Sequence, residues 1–266
     1  MRVDLHLHST ASDGLLSPAA LVSKAKAARL DIIALTDHDT TAGLEEARAA
    51  GASCGLRVIS GIEFSTELDS AEVHILGFQV DHQHQGLHQL LEKIRLSRLR
   101  RIEQMIDRLR DLGFDLTWDE VASGASNASS LGRPHVARVM VNKGYVASVK
   151  EAFDHWLDRG RKAYVPRFKL HPAEAIAVIH ESGGLAFLAH PGLLPANSII
   201  AQVAAMGLDG LEAFHPQHSP EQIQAFLLQA ETLALHISAG SDFHGGPGEP
   251  ELGAAAVDLT LPWLMD

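Results

Sequence analysis

Residues 3–14 read Val-Asp-Leu-His-Leu-His-Ser-Thr-Ala-Ser-Asp-Gly, and two signals overlap in them. Apolar and polar residues alternate from Val3 to Leu7, the period of a strand. A strand sends successive side chains to opposite faces, so Asp4, His6 and His8 are expected on one side and Val3, Leu5 and Leu7 on the other. Two imidazoles at adjacent same-side positions can grip one metal ion. Taken alone, the pair equally fits two hydrogen-bonded histidines beneath a loop. Asp13 follows in a Ser-Asp-Gly turn, and Ser17-Pro18 then offers a helix N-cap with proline at the first helical position, continued by a helical pattern over 21–28.

Working outward, the alternation of strand and helix repeats through residue 80. Residues 32–35 form a short buried strand, 41–50 a helix, 58–62 a strand and 73–78 another. Strands separated by helical segments argue for parallel pairing and an α/β layout. The pattern resumes late: His171-Pro172 opens a helix to about Glu181, and 185–188, 210–213 and 235–238 read as strands with helices between. These segments carry His, Asp or Glu at or near strand ends, where α/β sites assemble. They are Thr36-Asp37-His38-Asp39, Glu63 at the end of its strand, His74 in the next, His190-Pro191, and Ser241-Asp242-Phe243-His244. Carboxylates and imidazoles without thiolates suit manganese, iron or zinc. So many such groups exceed the needs of one ion, and two to three are expected.

The middle of the chain differs. From 86 to 112 one long helix is predicted, with Leu87, Leu90, Leu91, Ile94, Leu99, Ile102, Met105, Ile106 and Leu109 near a 3.6-residue period. Shorter helical pieces follow at 117–123, 134–143 and 147–157, interrupted by a Gly/Ser/Asn stretch at 123–132. Residues 86–170 therefore read as a helical insertion, and 1–85 with 171–266 as the α/β barrel or sheet that it interrupts. Charge follows the same division: the insertion holds 16 of the 22 bases against 10 acids, the remainder 6 bases against 23 acids. A basic block in an acidic chain suggests two parts with different jobs, the alternative being solvated Arg-rich helix faces. The whole, at 46% apolar and 21% charged, is globular. A single cysteine, Cys54, excludes an internal disulfide framework and a Cys-rich zinc fold. No run approaches the ~18 apolar residues of a membrane span. The opening MRVDLHLHST has acid and histidines where a signal peptide would be apolar. The expectation is a soluble, cytoplasmic protein with no membrane partner and no obligate protein partner.

The motifs D-L-H-x-H-S-x-x-S-D-G, T-D-H-D, G-x-E-x-S, a following lone His, A-H-P-G and S-D-F-H resemble, in this order, the PHP family, named for polymerase and histidinol phosphatase. The resemblance covers residues 1–80 and 170–266. It implies a distorted (β/α)7 barrel, a trinuclear metal centre and phosphoester hydrolysis. Carried onto this chain, it implies His6, His8, Asp13, His38, Glu63, His74, His190, Asp242 and His244 as metal ligands. Manganese comes foremost, with iron or zinc as alternatives. Glu63 would be the bridging carboxylate that helps hold a metal-bridging hydroxide as nucleophile. Gly132-Arg133-Pro134-His135, Ala-Tyr-Val-Pro at 163–166 and Glu-Ala-Phe-His-Pro at 212–216 are similar to the PHP branch that acts on nucleotides. That branch comprises nucleoside 3′,5′-bisphosphate phosphatases and 5′→3′ exonucleases of short RNAs. The resemblance thus implies hydrolysis of the 3′-phosphate of a nucleoside 3′,5′-bisphosphate, with a nucleotide or short RNA as partner. A histidinol-phosphatase-like enzyme of small metabolites is the alternative, and a non-catalytic nucleic-acid-binding module with a metal centre a more distant one. Independently of family, Arg133 and His135 open a helical segment, where helix N-terminus, guanidinium and imidazole together suit a phosphate. Pairing of Arg133 with a surface acid is the competing role. His215 lies just past a predicted strand end, on the rim of the metal residues, as a proton donor or substrate contact. His82, His84 and His88 read as a polar turn, and His155, His171, His180, His218 and His236 as structural.

Overall fold

The computed structural model describes residues 1–123, 131–255 and 261–264; residues 124–130 of the Gly/Ser/Asn stretch lie outside the described residues. The chain forms two compact units, Met1–Leu90 with Lys169–Asp266, and Leu91–Phe168. In chain order come β1 (Val3–Asp4), α1 (Pro18–Ala27), β2 (Ile32–Leu35), α2 (Leu44–Cys54), β3 (Arg57–Leu68), β4 (Ala71–Phe78) and α3 (Gln85–Asp111). The first turns of α3 belong to the first unit, where Leu87 is fully buried. The rest of α3, with α4 (Trp118–Ala122), α5 (Arg133–Asn142) and α6 (Val149–Ala152), which runs on into a π-helical turn at Phe153–Leu157, makes the second. The first unit resumes with α7 (Pro172–Glu181), β5 (Leu185–Leu188), α8 (Ser198–Ala204), β6 (Gly210–Phe214), α9 (Pro220–Thr232) and β7 (His236–Ala239).

Among the described residues the strands form one seven-stranded sheet in sequential order, β1 to β7. Its edges meet: the Leu5 amide donates to Ala239 O at 2.9 Å and the His8 amide to Phe243 O at 3.0 Å. The result is the expected distorted α/β barrel, closed by a few bonds rather than a full ladder. Expected parallel pairing fails in the middle, for β4 is antiparallel to both β3 and β5. Only Asp69 and Ser70 separate β3 from β4, both with positive φ, 49° and 71°. A link this short permits a hairpin and cannot carry a parallel crossover. β3 also runs to Leu68, well beyond the expected 58–62, because Phe64, Thr66 and Leu68 keep the buried alternation going. Glu63 therefore sits in mid-strand, not at a strand end. β1 is shorter than expected, and the apolar face read for it is split. Val3 and Leu5 join the cluster that draws on Ile32, Ile59, Phe78, Phe187 and Ala239, whereas Leu7 packs with Leu21, Val22, Ile33 and Leu44.

The first of these clusters takes side chains from strands all around the sheet and so fills the barrel. Trp263 plugs it, its ring 5.3 Å from Phe78 and 4.7 Å from Phe187 and its indole N–H donating to Ile237 O at 3.0 Å. Full burial of each large side chain there contributes about 1.5–3 kcal/mol. A packed interior leaves the rim, not the lumen, for chemistry. The second cluster is the layer between α1, α2 and the sheet. Ser17 caps α1 as read, accepting the Ala20 amide at 3.3 Å. The second unit has a core of its own, in which Ile102, Met105, Ile106 and Leu109 of α3 pack with Val136 and Met140 of α5 and Leu157. Among the described residues, no helix is long and apolar enough to cross a membrane.

Candidate metal centre

The segments leaving β1, β2, β5 and β7 bring their histidines and acids around Glu63, whose carboxylate is fully buried. Glu63 Oε1 lies 2.9 Å from His74 Nδ1, 3.3 Å from His6 Nε2 and 3.4 Å from His190 Nε2. Oε2 lies 2.9 Å from His38 Nδ1 and 3.3 Å from His8 Nε2. Asp242 reaches the same place, its Oδ1 being 3.1 Å from His8 Nε2 and 3.4 Å from His6 Nε2. Asp13 approaches from the loop after β1, 3.3 Å from His244 Nε2 and 3.9 Å from His38 Nε2. Ligand atoms close enough to hold an ion form three groups among the described residues: His8, Asp13, His38 and His244; His6, His8, Glu63 and Asp242; and His38, Glu63 and His74. His8, His38 and Glu63 each belong to two of them, which makes one continuous cluster. His190 belongs to none, although its ring approaches Glu63.

Neighbouring carboxylates hold these segments in place. Asp37 accepts the Ser9 amide at 2.6 Å and the Ser9 and Ser12 hydroxyls at 2.8 and 2.7 Å, which pins the loop carrying Asp13. Asp4 accepts the Ser241 amide and hydroxyl at 2.8 and 2.6 Å and the Gly253 amide at 2.7 Å, fixing the start of the Asp242–His244 turn. Glu212, in mid-β6 and fully buried, accepts from His6 Nδ1 at 3.2 Å and from the His190 amide at 2.8 Å. With an Nδ1 proton so held, a neutral His6 would present its Nε2 lone pair to a metal ion. Sequence reading quoted Glu212 within the Glu-Ala-Phe-His-Pro motif but gave it, like Asp4 and Asp37, no role of its own; a carboxylate in the middle of the otherwise apolar strand Gly-Leu-Glu-Ala-Phe was the available signal. His190 and Asp242 also hold left-handed backbone, φ 28° and 54°. For non-glycine residues that costs about 1–3 kcal/mol each and persists where the surroundings over-determine it.

The electrostatics are those of a cation site. Burial would raise Glu63, yet His38, His6 and His74 hold its carboxyl well below the usual range. Asp242 and Asp13 are likewise depressed against burial, the former by His6, His215 and His8, the latter by His244 and His38. Burial pulls His74 and His244 down, but Glu63 and Asp13 respectively push them up to about 10 and about 9. His8 goes the other way, lowered to about 4 by burial and by His38. His6 Nε2, His8 Nδ1 and His190 Nδ1 are buried without a hydrogen-bond partner. Each such atom left unsatisfied costs about 1–3 kcal/mol. Divalent ions fit this donor set, all nitrogen and oxygen, since Cys54 lies away on α2.

His215 is buried beside the cluster, its Nε2 3.9 Å from Asp242 Oδ2. Its Nδ1 accepts the Gln217 amide at 3.2 Å, so in the neutral ring the proton sits on Nε2. His218, read as structural, ties two loops: its Nε2 accepts the Gly192 amide at 3.1 Å and its Nδ1–H donates to Ala213 O at 3.0 Å. His171 caps α7. Arg133 and His135 belong to the other unit, at the start of α5. Arg133 does pair with an acid, Asp158, at 3.2 Å, and lies 5.2 Å over the Phe153 ring. His135 Nδ1 accepts the Gly132 amide at 3.2 Å. Burial and Arg138 lower its pKa. Arg101, not singled out from the sequence, is pushed down to about 10 by burial and by the charges of Arg133, Arg167 and Arg98. Three other guanidiniums thus lie close enough to Arg101 to act on its charge.

A nearly closed α/β barrel with a His/carboxylate cluster at its rim is the architecture of a metal-dependent hydrolase. The chain belongs to the PHP domain family, whose sequence pattern matches residues 4–162. It is 36% identical over 270 residues to a 5′-3′ exoribonuclease of Haemophilus influenzae, covering 98% of this chain and 97% of the relative. It is 35% identical over 252 residues to a 3′,5′-nucleoside bisphosphate phosphatase of Chromobacterium violaceum, covering 93% and 88%. A solved structure from Bifidobacterium adolescentis, assigned as a metal-dependent phosphoesterase, superposes with a TM-score of 0.79 at 33% identity, covering 96% of this chain and 92% of the other. This protein is a metal-dependent phosphoesterase.

Proposed function

We propose that the enzyme removes the 3′-phosphate of nucleoside 3′,5′-bisphosphates and shortens 5′-phosphorylated RNA from its 5′ end. The observation that carries this reading is the presence of two separate sets of groups suited to phosphate. One is the cluster around Glu63, and the other is the arginine group that includes Arg133 and Arg101. Two relatives that align over nearly the whole chain bear the corresponding names, and support it further.

In this reading His6, His8, Asp13, His38, Glu63, His74, His190, Asp242 and His244 hold two to three divalent ions, manganese foremost. Such ions, when bound, lower the pKa of water from 15.7 to about 7 and offset phosphoryl charge. Glu63 spans the cluster, since each of its oxygens faces a different set of imidazoles. His215, with its proton on Nε2, is placed to protonate the leaving oxygen. Arg133 and His135 hold the phosphate that is not hydrolysed, Arg133 exchanging Asp158 for it. Phosphate contacts position a ligand without reading sequence, so base identity matters little. A cytoplasmic setting, where nucleotides and RNA fragments arise, is part of the same proposal.

The test is phosphate release by the metal-loaded protein from adenosine 3′,5′-bisphosphate, the 3′- and 5′-monophosphates, a 5′-phosphorylated RNA trinucleotide and histidinol phosphate. The bisphosphate should exceed either monophosphate in kcat/KM by at least about tenfold, equivalent to ~1.4 kcal/mol. Equal turnover of histidinol phosphate would replace this reading with the small-metabolite one.

A further inference from the structure

We infer a second ligand site in the barrel unit, at the N-terminal end of β3, that takes a hydroxylated phosphomonoester such as a sugar phosphate. A cavity of about 400 Å³ opens there, lined by Arg48 of α2, Arg57 and Ser60 of β3, and Gln79, Asp81 and His82 from the turn after β4. The lining residues of β3, Arg57 to Ser60, precede Glu63 by six to three residues of continuous strand, about 20 to 10 Å at ~3.3 Å per residue, and none of the proposed metal ligands lines the cavity. The cavity is therefore separate from the cluster around Glu63. Its size lies within the roughly 300–1,000 Å³ of small-molecule sites.

The lining specifies the ligand. The barrel unit is strongly acidic, and most of its few bases are engaged. Lys24 pairs with Glu251 and Lys169 with Glu67, while Arg2 and Lys26 donate to carbonyls. Arg29, Arg48 and Arg57 make no side-chain ion pair or hydrogen bond among the described residues, and of these three Arg48 and Arg57 line this cavity. Two unpaired guanidiniums on one concave surface are a fork for phosphate oxygens. Acids stand at the same site: Asp81 lines it, and Glu45 lies 2.6 Å from His82 Nε2. One oxygen of Asp81 accepts the Gln83 amide at 2.9 Å, which leaves the other to accept a ligand hydroxyl. The Gln79 side-chain amide donates to Trp263 O at 3.3 Å, leaving its carbonyl as a second acceptor. A plain anion would gain nothing from these acceptors, whereas a phosphate carrying a hydroxylated group uses both halves of the lining. Ser60, whose hydroxyl donates to Val80 O at 2.9 Å, completes the polar wall.

The experiment is titration calorimetry of the metal-loaded, full-length protein with ribose 5-phosphate, a nucleoside 5′-monophosphate and inorganic phosphate, comparing wild type with R48Q/R57Q. Wild type should bind ribose 5-phosphate or the nucleotide at one site beyond those of the double variant, and D81N should weaken that site at least tenfold for the two esters. Turnover of the bisphosphate should be unchanged in the variants. Whichever ester binds more tightly identifies the source of the ligand. Equal stoichiometry and affinity in wild type and R48Q/R57Q would overturn the site. Inorganic phosphate binding there as tightly as both esters would overturn the ligand class. R48Q or R57Q alone carries the comparison if the double variant does not fold.

Discussion

Replacing Glu212 with Gln tests how far the metal cluster depends on a residue that is not one of the proposed ligands. Glu212 is asked for two acceptors at once, by His6 Nδ1–H at 3.2 Å and by the His190 amide at 2.8 Å. Gln keeps the shape but supplies one acceptor and one donor, so an N–H must meet an N–H in a buried place. One unmet group costs about 1–3 kcal/mol, and loosening a histidine's outer partner typically weakens metal binding about 10–100-fold. The two figures agree, since tenfold is ~1.4 kcal/mol. The assay is competition with a chromogenic chelator for metal affinity, alongside phosphate release at rising metal concentration. We expect the apparent metal dissociation constant of Glu212→Gln to rise about 10–100-fold, with excess metal restoring most of the activity. Unaltered metal affinity in a folded variant would mean that the Glu212 contact does not orient His6.

Arg133→Ala should raise KM for substrates with a second phosphate and hardly alter those without one. The difference should be about 1.5–3 kcal/mol, read from kcat/KM on bisphosphate and monophosphate, and equal losses on both would reassign Arg133 to folding. Metal uptake should release protons: His74 and His244, raised to about 10 and about 9, are protonated in the metal-free chain at pH 7.5 and must lose that proton to ligate. Affinity should therefore climb with pH toward that range, and binding heats should differ between buffers of unlike ionisation enthalpy; identical heats would contradict it. The same shifts give the metal-free chain stability that is fully present below about pH 6.5 and is lost as pH rises through about 9–10. Gly240→Ala should destabilise the protein, since a Cβ there would lie 2.2 Å from His6 Cβ and 2.5 Å from Glu212 Oε1. Overpacking of this kind costs about 1–3 kcal/mol; a thermal melt with no shift, and with metal content intact, would show that the His6–Glu212 contact can yield.

The barrel was legible because its strands are short, buried and separated by capped helices, and Ser17-Pro18 and His171-Pro172 mark helix starts directly. Its antiparallel strand was not, since reading 58–62 and 73–78 as separate strands left the Asp69–Ser70 turn between them unread. The residues gathered around Glu63 were visible as strand-linked histidines and acids. The role of Glu212, quoted only as part of a motif, escaped because a buried carboxylate on a strand acts through another residue's proton, and spacing carries no trace of that. Arg101 escaped because it sits on an amphipathic helix among other bases, where pattern alone separates no single arginine from its neighbours. Asp158, the partner of Arg133, is 25 residues away in sequence, beyond the reach of any local motif.

The identity of the product shows which phosphate the enzyme removes and whether metal does the chemistry. Adenosine 3′,5′-bisphosphate incubated with the metal-loaded enzyme can be followed by phosphorus NMR, in which the 3′- and 5′-phosphates are distinguished. The 3′-phosphate signal should be lost, with inorganic phosphate and the 5′-monophosphate accumulating in equal amounts and the reaction stopping when a chelator strips the metal. Accumulation of the 3′-monophosphate, or hydrolysis that continues after the metal is removed, would contradict the proposed function.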